Sequence, residues 1–428
     1  MITARAFAGK RYAVYGLARS GLATVKALLA SGAKVTAWDA KLAPSPQRGE
    51  RRGEGVPRSS EASDAVHPHP ALSLKGEGLV IANLDSADLT QFDSLVVTPG
   101  LPLNRHPIAQ RARDAGLEII GDIELFARAR PELPPHKVVG ITGTNGKSTT
   151  TALVHHILEV AGVPTTMGGN IGLPILAQDP LPEGGVYVLE LSSYQIDLTK
   201  SLDCDVAVLL NITPDHLDRY ESFEAYAASK ARLLEMSSGT IVRGRDVGLD
   251  QSQWPALQGP HNAQNAAAAI ETCRALGVGE GEIAEGLRTY PGLPHRMERV
   301  REKGGVLFVN DSKATNATAT APALAAFPAI RWILGGRPKS DELDECAPYF
   351  AHVRSAYTIG EAAEMFTALL APHMPVKNCG KLDDAVRQAA RDAEAGDTVL
   401  LSPACASFDQ FRDFEDRGEQ FKALVGAL

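Results

Sequence analysis

A chain of 428 residues is too long for one ordinary core and points to two to four domains, with three as the working expectation. Hydrophobic residues at 44% and charged residues at 22% argue against a disordered or fibrous chain, and a net charge of -8 spread along the sequence argues against a nucleic-acid surface. Cys204, Cys273, Cys346, Cys379 and Cys405 form no CxxC pair and read as reduced thiols.

The N-terminus, MITARAFAGKRYAVYG, lacks an apolar signal region, and no run of roughly 18 to 20 apolar residues occurs. A cytoplasmic protein, neither secreted nor membrane-spanning, is therefore expected. From Arg11 the pattern is a strand (RYAVYG), a glycine turn (GLARSG), an apolar-periodic helix and a second strand ending at Asp39, the opening of a doubly wound α/β domain. Residues 43–77, rich in Pro, Gly, Ser and charge, read as a disordered surface insertion. The alternation resumes through DSLVVTPG, PIAQRARDAG and LEIIG, and RPELPPHK reads as a linker.

A second α/β unit opens with the strand KVVGIT, the loop GTNGKST and an apolar helix, followed by the strands VYVLELS and CDVAVLLNIT. A third starts near His295, where VLFVNDS, IRWILGG, SAYTIG and DTVLLSP read as buried parallel strands. The expected domains are 1–133, 134–294 and 295–428, the outer two Rossmann-like and the central one a parallel sheet of phosphate-loop ATPase type.

VVGITGTNGKST carries the strongest chemical signal, because a strand running through a glycine loop into a helix is the setting a phosphate requires. Gly143 and Gly146 let backbone N–H groups approach phosphate oxygens, aided by Thr144 and Asn145, and Lys147 can reach the outer phosphates. Ser148 or Thr149 would hold magnesium. The strict Walker pattern is not met, since its first glycine falls at Ile141.

GITGTNGKST resembles the variant phosphate loop of the Mur ligase and folylpolyglutamate synthase superfamily. GGNIG, LELSSYQ, NITPDHLDRY, GPHNAQNAAAA, LPHRME, NDSKATN and SPACASFDQFRDFEDRG extend the resemblance over nearly the whole chain. It implies an ATP-dependent carboxylate–amine ligase, monomeric, that joins D-glutamate to UDP-N-acetylmuramoyl-L-alanine through an acyl phosphate in peptidoglycan precursor synthesis.

Glu190 ends an apolar strand, at the sheet edge where a hard cation would find an oxygen ligand. By composition His216 reads as structural and Lys230 as a solvent-exposed helix lysine. The resemblance implies instead that both support a second magnesium, with Lys230 carbamylated, and that catalysis rests on Lys147, Glu190, His216 and Lys230. It further implies ATP contacts from Asn265, Arg296 and Asp311, whereas the residues alone allow Asp311 or Ser312 to be a helix N-cap. D-glutamate would be held by Thr315, Lys339, Ser407 and the backbone at Phe414. The UDP-sugar would be held near Ser20, Asp39, Gly100 and Asn170.

GLARSG keeps Gly16 and Gly21 but has Ala18 in place of the middle glycine of a dinucleotide fingerprint, so NADH binding is not expected. Two features depart from the family pattern, the insertion at 43–77 and a short stretch at 236–259, where more central-domain strands are usual. They leave open a folylpolyglutamate synthase-like ligase, against which SPACASFDQF argues, and a nucleotide-binding protein impaired by the shortening, against which the intact catalytic set argues.

Overall fold

The computed structural model describes residues 1–39, 78–215 and 219–428. The insertion expected at 43–77 and the candidate ligand His216 therefore lie outside the described residues. The chain forms two compact units, Met1–Arg245 with Ala267–Ile283, and Asp246–Ala266 with Ala284–Leu428.

The first unit holds two sheets. Strands β1 (Arg11–Tyr15), β2 (Lys34–Trp38), β3 (Leu79–Ile81), β4 (Ser94–Val97) and β5 (Glu118–Ile120) lie in the order β3-β2-β1-β4-β5, and every pairing is parallel. Helices α1 (Arg19–Ala30), α2 (Pro107–Asp114) and α3 (Asp122–Ala129) connect and follow them. At the start of α2 the His106 ring caps the Ile108 N–H, and Pro107 occupies the first turn, where its missing donor has no consequence.

In the second sheet, β6 (His136–Thr142), β7 (Thr165–Gly169), β8 (Gly185–Glu190), β9 (Val206–Leu209) and β10 (Thr240–Arg243) run parallel in the order β10-β9-β6-β8-β7. Helices α4 (Lys147–Val160), α5 (Ser193–Asp197) and α6 (Phe223–Glu235) complete it. All six residues of β8 are buried, as an apolar run covered on both faces requires. The short stretch at 236–259 contributes β10 and no other strand.

One apolar core joins the two sheets, running from Val14 and Val25 through Phe126 to Val138, Tyr187 and Leu189. Beside it the buried Glu124 carboxylate accepts from the Lys200 and Ser201 N–H groups (2.7 and 2.8 Å), from Ser201 Oγ (2.9 Å) and from Arg128 Nε (2.9 Å). It thereby ties α3 of the first sheet's domain to the loop after α5.

In the second unit, β11 (Glu298–Lys303), β12 (Val306–Asn310), β13 (Ile330–Gly335), β14 (Val353–Ile359), β15 (Val376–Gly380) and β16 (Thr398–Leu401) lie in the order β11-β12-β16-β13-β14-β15. Only the edge strand β11 is antiparallel. Helices α7 (Pro260–Leu276) and α8 (Glu280–Thr289) precede this sheet in the chain, and α9 (Ala317–Ala325), α10 (Ala363–Leu370), α11 (Leu382–Asp392) and α12 (Phe414–Ala427) are interleaved with its strands or follow them. Among the described residues no helix is long and apolar enough to cross a membrane. The architecture is the expected α/β class, with a Rossmann-like N-terminal sheet, a central parallel sheet and a Rossmann-like C-terminal sheet.

Candidate active site

The phosphate loop leaves the C-terminal end of β6, the middle strand of its sheet, with β8 on one side and β9 on the other. Gly146 takes the left-handed conformation (φ 82°) at the N-cap of α4, which a side chain would resist, and so turns the chain sharply into the helix. The loop is stapled to the segment after β9. Asn211 O accepts from the Thr144 N–H (2.8 Å), and the Asn211 side chain accepts from the Asn145 N–H (2.9 Å) and donates to the Asn145 carbonyl (3.1 Å). Thr144 Oγ1 accepts from the Thr213 N–H (3.0 Å) and lies 3.1 Å from the Tyr226 hydroxyl.

Two lysines converge on one carbonyl. Lys147 Nζ donates to Gly143 O (2.9 Å) and Thr144 O (2.8 Å), and Lys230 Nζ, from α6, donates to the same Gly143 O (2.9 Å). Lys230 is 2% exposed, which overturns the solvent-exposed reading that composition favours. Burial, and then the Lys147 charge, pull its pKa down to about 7, against the opposing pull of Asp215, Asp197 and Glu190.

Glu190 ends β8 in register with Ile141 of β6 and Gly169 of β7. One carboxylate oxygen accepts from Asn170 Nδ2 (2.8 Å), and the other is buried with no hydrogen-bond partner among the described residues. A buried carboxylate oxygen without a partner is costly unless a cation meets it, so this donor fits a hard divalent ion. Gly169 allows the approach. Its φ is +89°, and a Cβ there would sit 2.2 Å from the Glu190 carbonyl oxygen. Asn170, expected at the UDP-sugar, thus holds the metal-type carboxylate. Ser148 and Thr149 stand in the first turn of α4 beside Lys147.

In the N-terminal sheet, Asp39 follows β2 and accepts from the Leu17 N–H (2.7 Å), which ties it to the glycine turn. Ser20 and Gly21, in the first turn of α1, line a small cavity with Thr98 and Asp122. Arg219 was not singled out by sequence reasoning. It donates to the carbonyls of Gly100 (3.3 Å) and Leu101 (2.9 Å) while its guanidinium lies 4.3 Å above the Tyr194 ring. Asn211 was likewise missed, although both belong to the NITPDHLDRY segment, which was the available signal.

The second unit holds the remaining candidates. Asp311 follows β12, accepts from the Met297 N–H (3.1 Å) and Ser402 Oγ (2.7 Å), and is pushed up to about 7, chiefly by burial. It is not the helix cap, because Asn316 caps α9 through the Ala319 N–H (2.8 Å). Arg296 forms a bridge with Leu293 and is among the groups that draw the Asp311 pKa down. Asn265 is buried in α7, where its amide donates to Asn262 Oδ1 (3.2 Å).

Thr315, Lys339 and Ser407 come from the loops after β12, β13 and β16, three strands adjacent in the sheet. Lys339 Nζ donates to Thr315 Oγ1 (3.0 Å). Ser407 Oγ is buried with no partner among the described residues, and Phe414 starts α12 with the Lys313 ammonium 3.7 Å above its ring. The structure therefore gathers the groups expected around D-glutamate on one edge of one sheet.

A lysine-bearing phosphate loop and a second buried lysine, beside a carboxylate with one partnerless oxygen at the end of a parallel strand, define a protein of the nucleotide-phosphate-handling class. Two family profiles match the chain, the Mur ligase middle domain over residues 141–248 and the Mur ligase glutamate ligase domain over residues 295–405. A UDP-N-acetylmuramoylalanine--D-glutamate ligase of Novosphingobium aromaticivorans is 58% identical over 456 residues, covering 100% of this chain and 97% of the relative. A ligase of the same description from Sphingopyxis alaskensis is 56% identical over 458 residues, covering 100% of both chains. Both alignments are longer than this chain, so the relatives carry stretches that it lacks. Among solved structures, a UDP-N-acetylmuramate-alanine ligase from Thermotoga maritima shares the fold, with a TM-score of 0.56 and 15% identity over 98% of this chain and 99% of that one. The chain belongs to the Mur ligase family.

Proposed function

We propose that the chain is an ATP-dependent ligase that adds D-glutamate to UDP-N-acetylmuramoyl-L-alanine in the cytoplasm of a peptidoglycan-building bacterium. The observation that carries this reading is the agreement, along the whole chain, with relatives of that description, the first of them 58% identical. The site supports it independently, because its groups suit phosphoryl transfer to a carboxylate.

In the reaction, the terminal alanine carboxylate of the UDP-sugar attacks the γ-phosphorus of ATP, forming an acyl phosphate and releasing ADP. The amine of D-glutamate then attacks the acyl carbon, phosphate leaves with the bonding electrons, the amine loses a proton, and an amide remains. Gly143 and Gly146 offer backbone donors to the phosphates, Thr144 and Asn145 shape the loop by giving their N–H groups to Asn211, and Lys147 needs only to turn from the Gly143 and Thr144 carbonyls to reach the phosphates. Glu190 would hold magnesium through its partnerless oxygen, with Ser148 or Thr149. A second magnesium would be held by His216 and a carbamylated Lys230. Bound magnesium supplies charge neutralisation on the transferred phosphoryl group.

The depressed amine of Lys230 favours that modification, since only a neutral amine adds to carbon dioxide. Asn265, Arg296 and Asp311 serve the nucleotide. Thr315, Lys339, Ser407 and the Phe414 backbone serve the two carboxylates of D-glutamate, for which an ammonium and hydroxyl donors are suited. Ser20, Asp39 and Gly100 serve the UDP-sugar, and Asn170 acts there indirectly, by orienting Glu190. The protein works as a monomer.

The test is phosphate release from magnesium-ATP with UDP-N-acetylmuramoyl-L-alanine, with and without D-glutamate, and mass detection of the amide. Release that depends on D-glutamate and on no other amino acid supports the assignment. Nucleotide binding without release would instead identify an inert module.

A further inference from the structure

Arg417, in the first turns of α12, is fully buried, at 0% exposed, yet makes no ion pair among the described residues. Its five hydrogen bonds all end on neutral oxygens. Nε donates to Ser312 Oγ (3.0 Å), Nη1 to the carbonyls of Gly335 and Ala406 (3.4 Å each), and Nη2 to those of Ser312 (2.9 Å) and Cys405 (3.1 Å). Burial pulls its pKa down to about 10, against the weaker opposing pulls of Cys405 and the Asp409 carboxylate, so it stays charged at neutral pH. A buried charge held by neutral oxygens and met by no direct ion pair is a poor stabiliser, and an apolar side chain of similar volume commonly serves a core as well or better. Stability alone therefore does not account for a guanidinium here.

The identity of the acceptors does. Ser312 stands three residues before Thr315, Gly335 closes β13 ahead of Lys339, and Cys405 and Ala406 immediately precede Ser407. A single rigid fork thus spans the three loops that carry the D-glutamate candidates, and Ser312 Oγ passes the link to the Phe414 carbonyl (2.8 Å). The loops are also joined directly, since the backbones of Arg337 and Ala406 exchange hydrogen bonds (2.9 and 3.0 Å). Because a trans peptide places its C=O and N–H on opposite sides, drawing the Ala406 carbonyl toward Arg417 turns the Ser407 N–H away from it. The guanidinium also adds positive potential beneath a pocket whose ligand carries two carboxylates.

We infer that Arg417 is a positioning residue for the amino-acid substrate, a buried charged bracket that fixes Thr315, Lys339 and Ser407 relative to one another and favours a dicarboxylate over a monocarboxylate. The inference rests on the reading of that pocket as the D-glutamate site. Lysine cannot replace the bracket, because one ammonium cannot span carbonyls from three loops.

The test uses the full chain with Arg417→Lys, Arg417→Met and the milder Ser312→Ala, which removes one acceptor and the link to Phe414. KM values for D-glutamate, ATP and the UDP-sugar are measured beside thermal unfolding. KM for D-glutamate should rise roughly tenfold or more in Arg417→Met, with ATP and UDP-sugar values within about threefold of native. Arg417→Lys should keep the preference for D-glutamate over D-glutamine better than Arg417→Met does, because it keeps the charge. Ser312→Ala should raise the same KM less. If all three KM values shift together, or only the unfolding temperature changes, Arg417 is an ordinary core brace and the inference is overturned. Should Arg417→Met not fold, Ser312→Ala and Arg417→Lys decide by the same comparison. Absence of D-glutamate-dependent turnover in the native chain is a different outcome, which removes the reading of the pocket itself.

Discussion

Replacing Lys230 by alanine acts on the least ordinary group of the site. The native amine is 2% exposed and lies 2.9 Å from the Gly143 carbonyl beside Lys147. Its fall from 10.5 to about 7 corresponds to a bias on the order of 5 kcal/mol toward the neutral amine, at about 1.4 kcal/mol per unit. A neutral nitrogen can add to carbon dioxide and lose a proton, giving an anion where a metal ligand is wanted. Turnover in Lys230→Ala should fall by roughly a hundredfold or more, the scale seen when one group stabilising a reacting centre is removed. The vacated stem leaves a cavity worth about 2 to 4 kcal/mol, partly offset because no amine is buried any longer, so the variant should still fold. The assay is D-glutamate-dependent phosphate release with formate, acetate or propionate added, beside thermal unfolding as a control. Partial rescue by these carboxylates is expected. Undiminished turnover would refute the reasoning, and rescue by short amines instead would assign Lys230 a cationic role. In the native chain, turnover should also decline as pH falls through about 7, because protonation removes the nucleophile that forms the carbamate.

Three further outcomes follow from the same geometry. Glu190→Gln leaves the Asn170 hydrogen bond possible but removes the charge of the partnerless oxygen; the magnesium concentration for half-maximal turnover should rise roughly tenfold or more with little change in unfolding, and an unaltered magnesium dependence would contradict the assignment. Asp311, raised from 3.8 to about 7 chiefly by burial, keeps its proton in the folded chain after the unfolded chain has lost it. The contribution of Asp311 to native stability should therefore be lost as pH rises from about 4 to about 7, and Asp311→Asn, free of this loss, should be more stable at pH 8 than native by something on the order of 4 kcal/mol relative to their difference at pH 4. Urea unfolding at the two values checks this, and an equal difference at both would show that burial does not hold the proton. Glu124→Ala strands the Lys200 and Ser201 donors and should destabilise the first unit by about 3 kcal/mol, read by denaturant unfolding; a change under about 1 kcal/mol would mean that water replaces the carboxylate.

The sequence by itself determined the elements and much of the chemistry. Strands covered on both faces must be apolar throughout, so VYVLEL and VLFVN announced themselves, and the end of such a strand is where Glu190 and Asp311 had to stand. The turn GTNGKST was equally legible, because only a glycine loop entering a helix offers backbone donors to a phosphate. Tertiary structure decided what local pattern cannot encode. Lys230 sits on a helix whose composition suits a solvent face, and only the packing of α6 against β6 and β9 buries it beside Lys147. Asn170 reads as a loop residue until β7 and β8 align and bring it to Glu190. Arg417 reads as one more charge in FEDRG, and only when β12, β16 and β13 lie side by side do carbonyls from three loops meet around it. For Lys230 and Arg417 the deciding energy is desolvation by groups distant in the chain, and for Asn170 it is a partner that only strand pairing supplies. Such a term depends on which surfaces are brought into contact, and no window of neighbouring residues contains it.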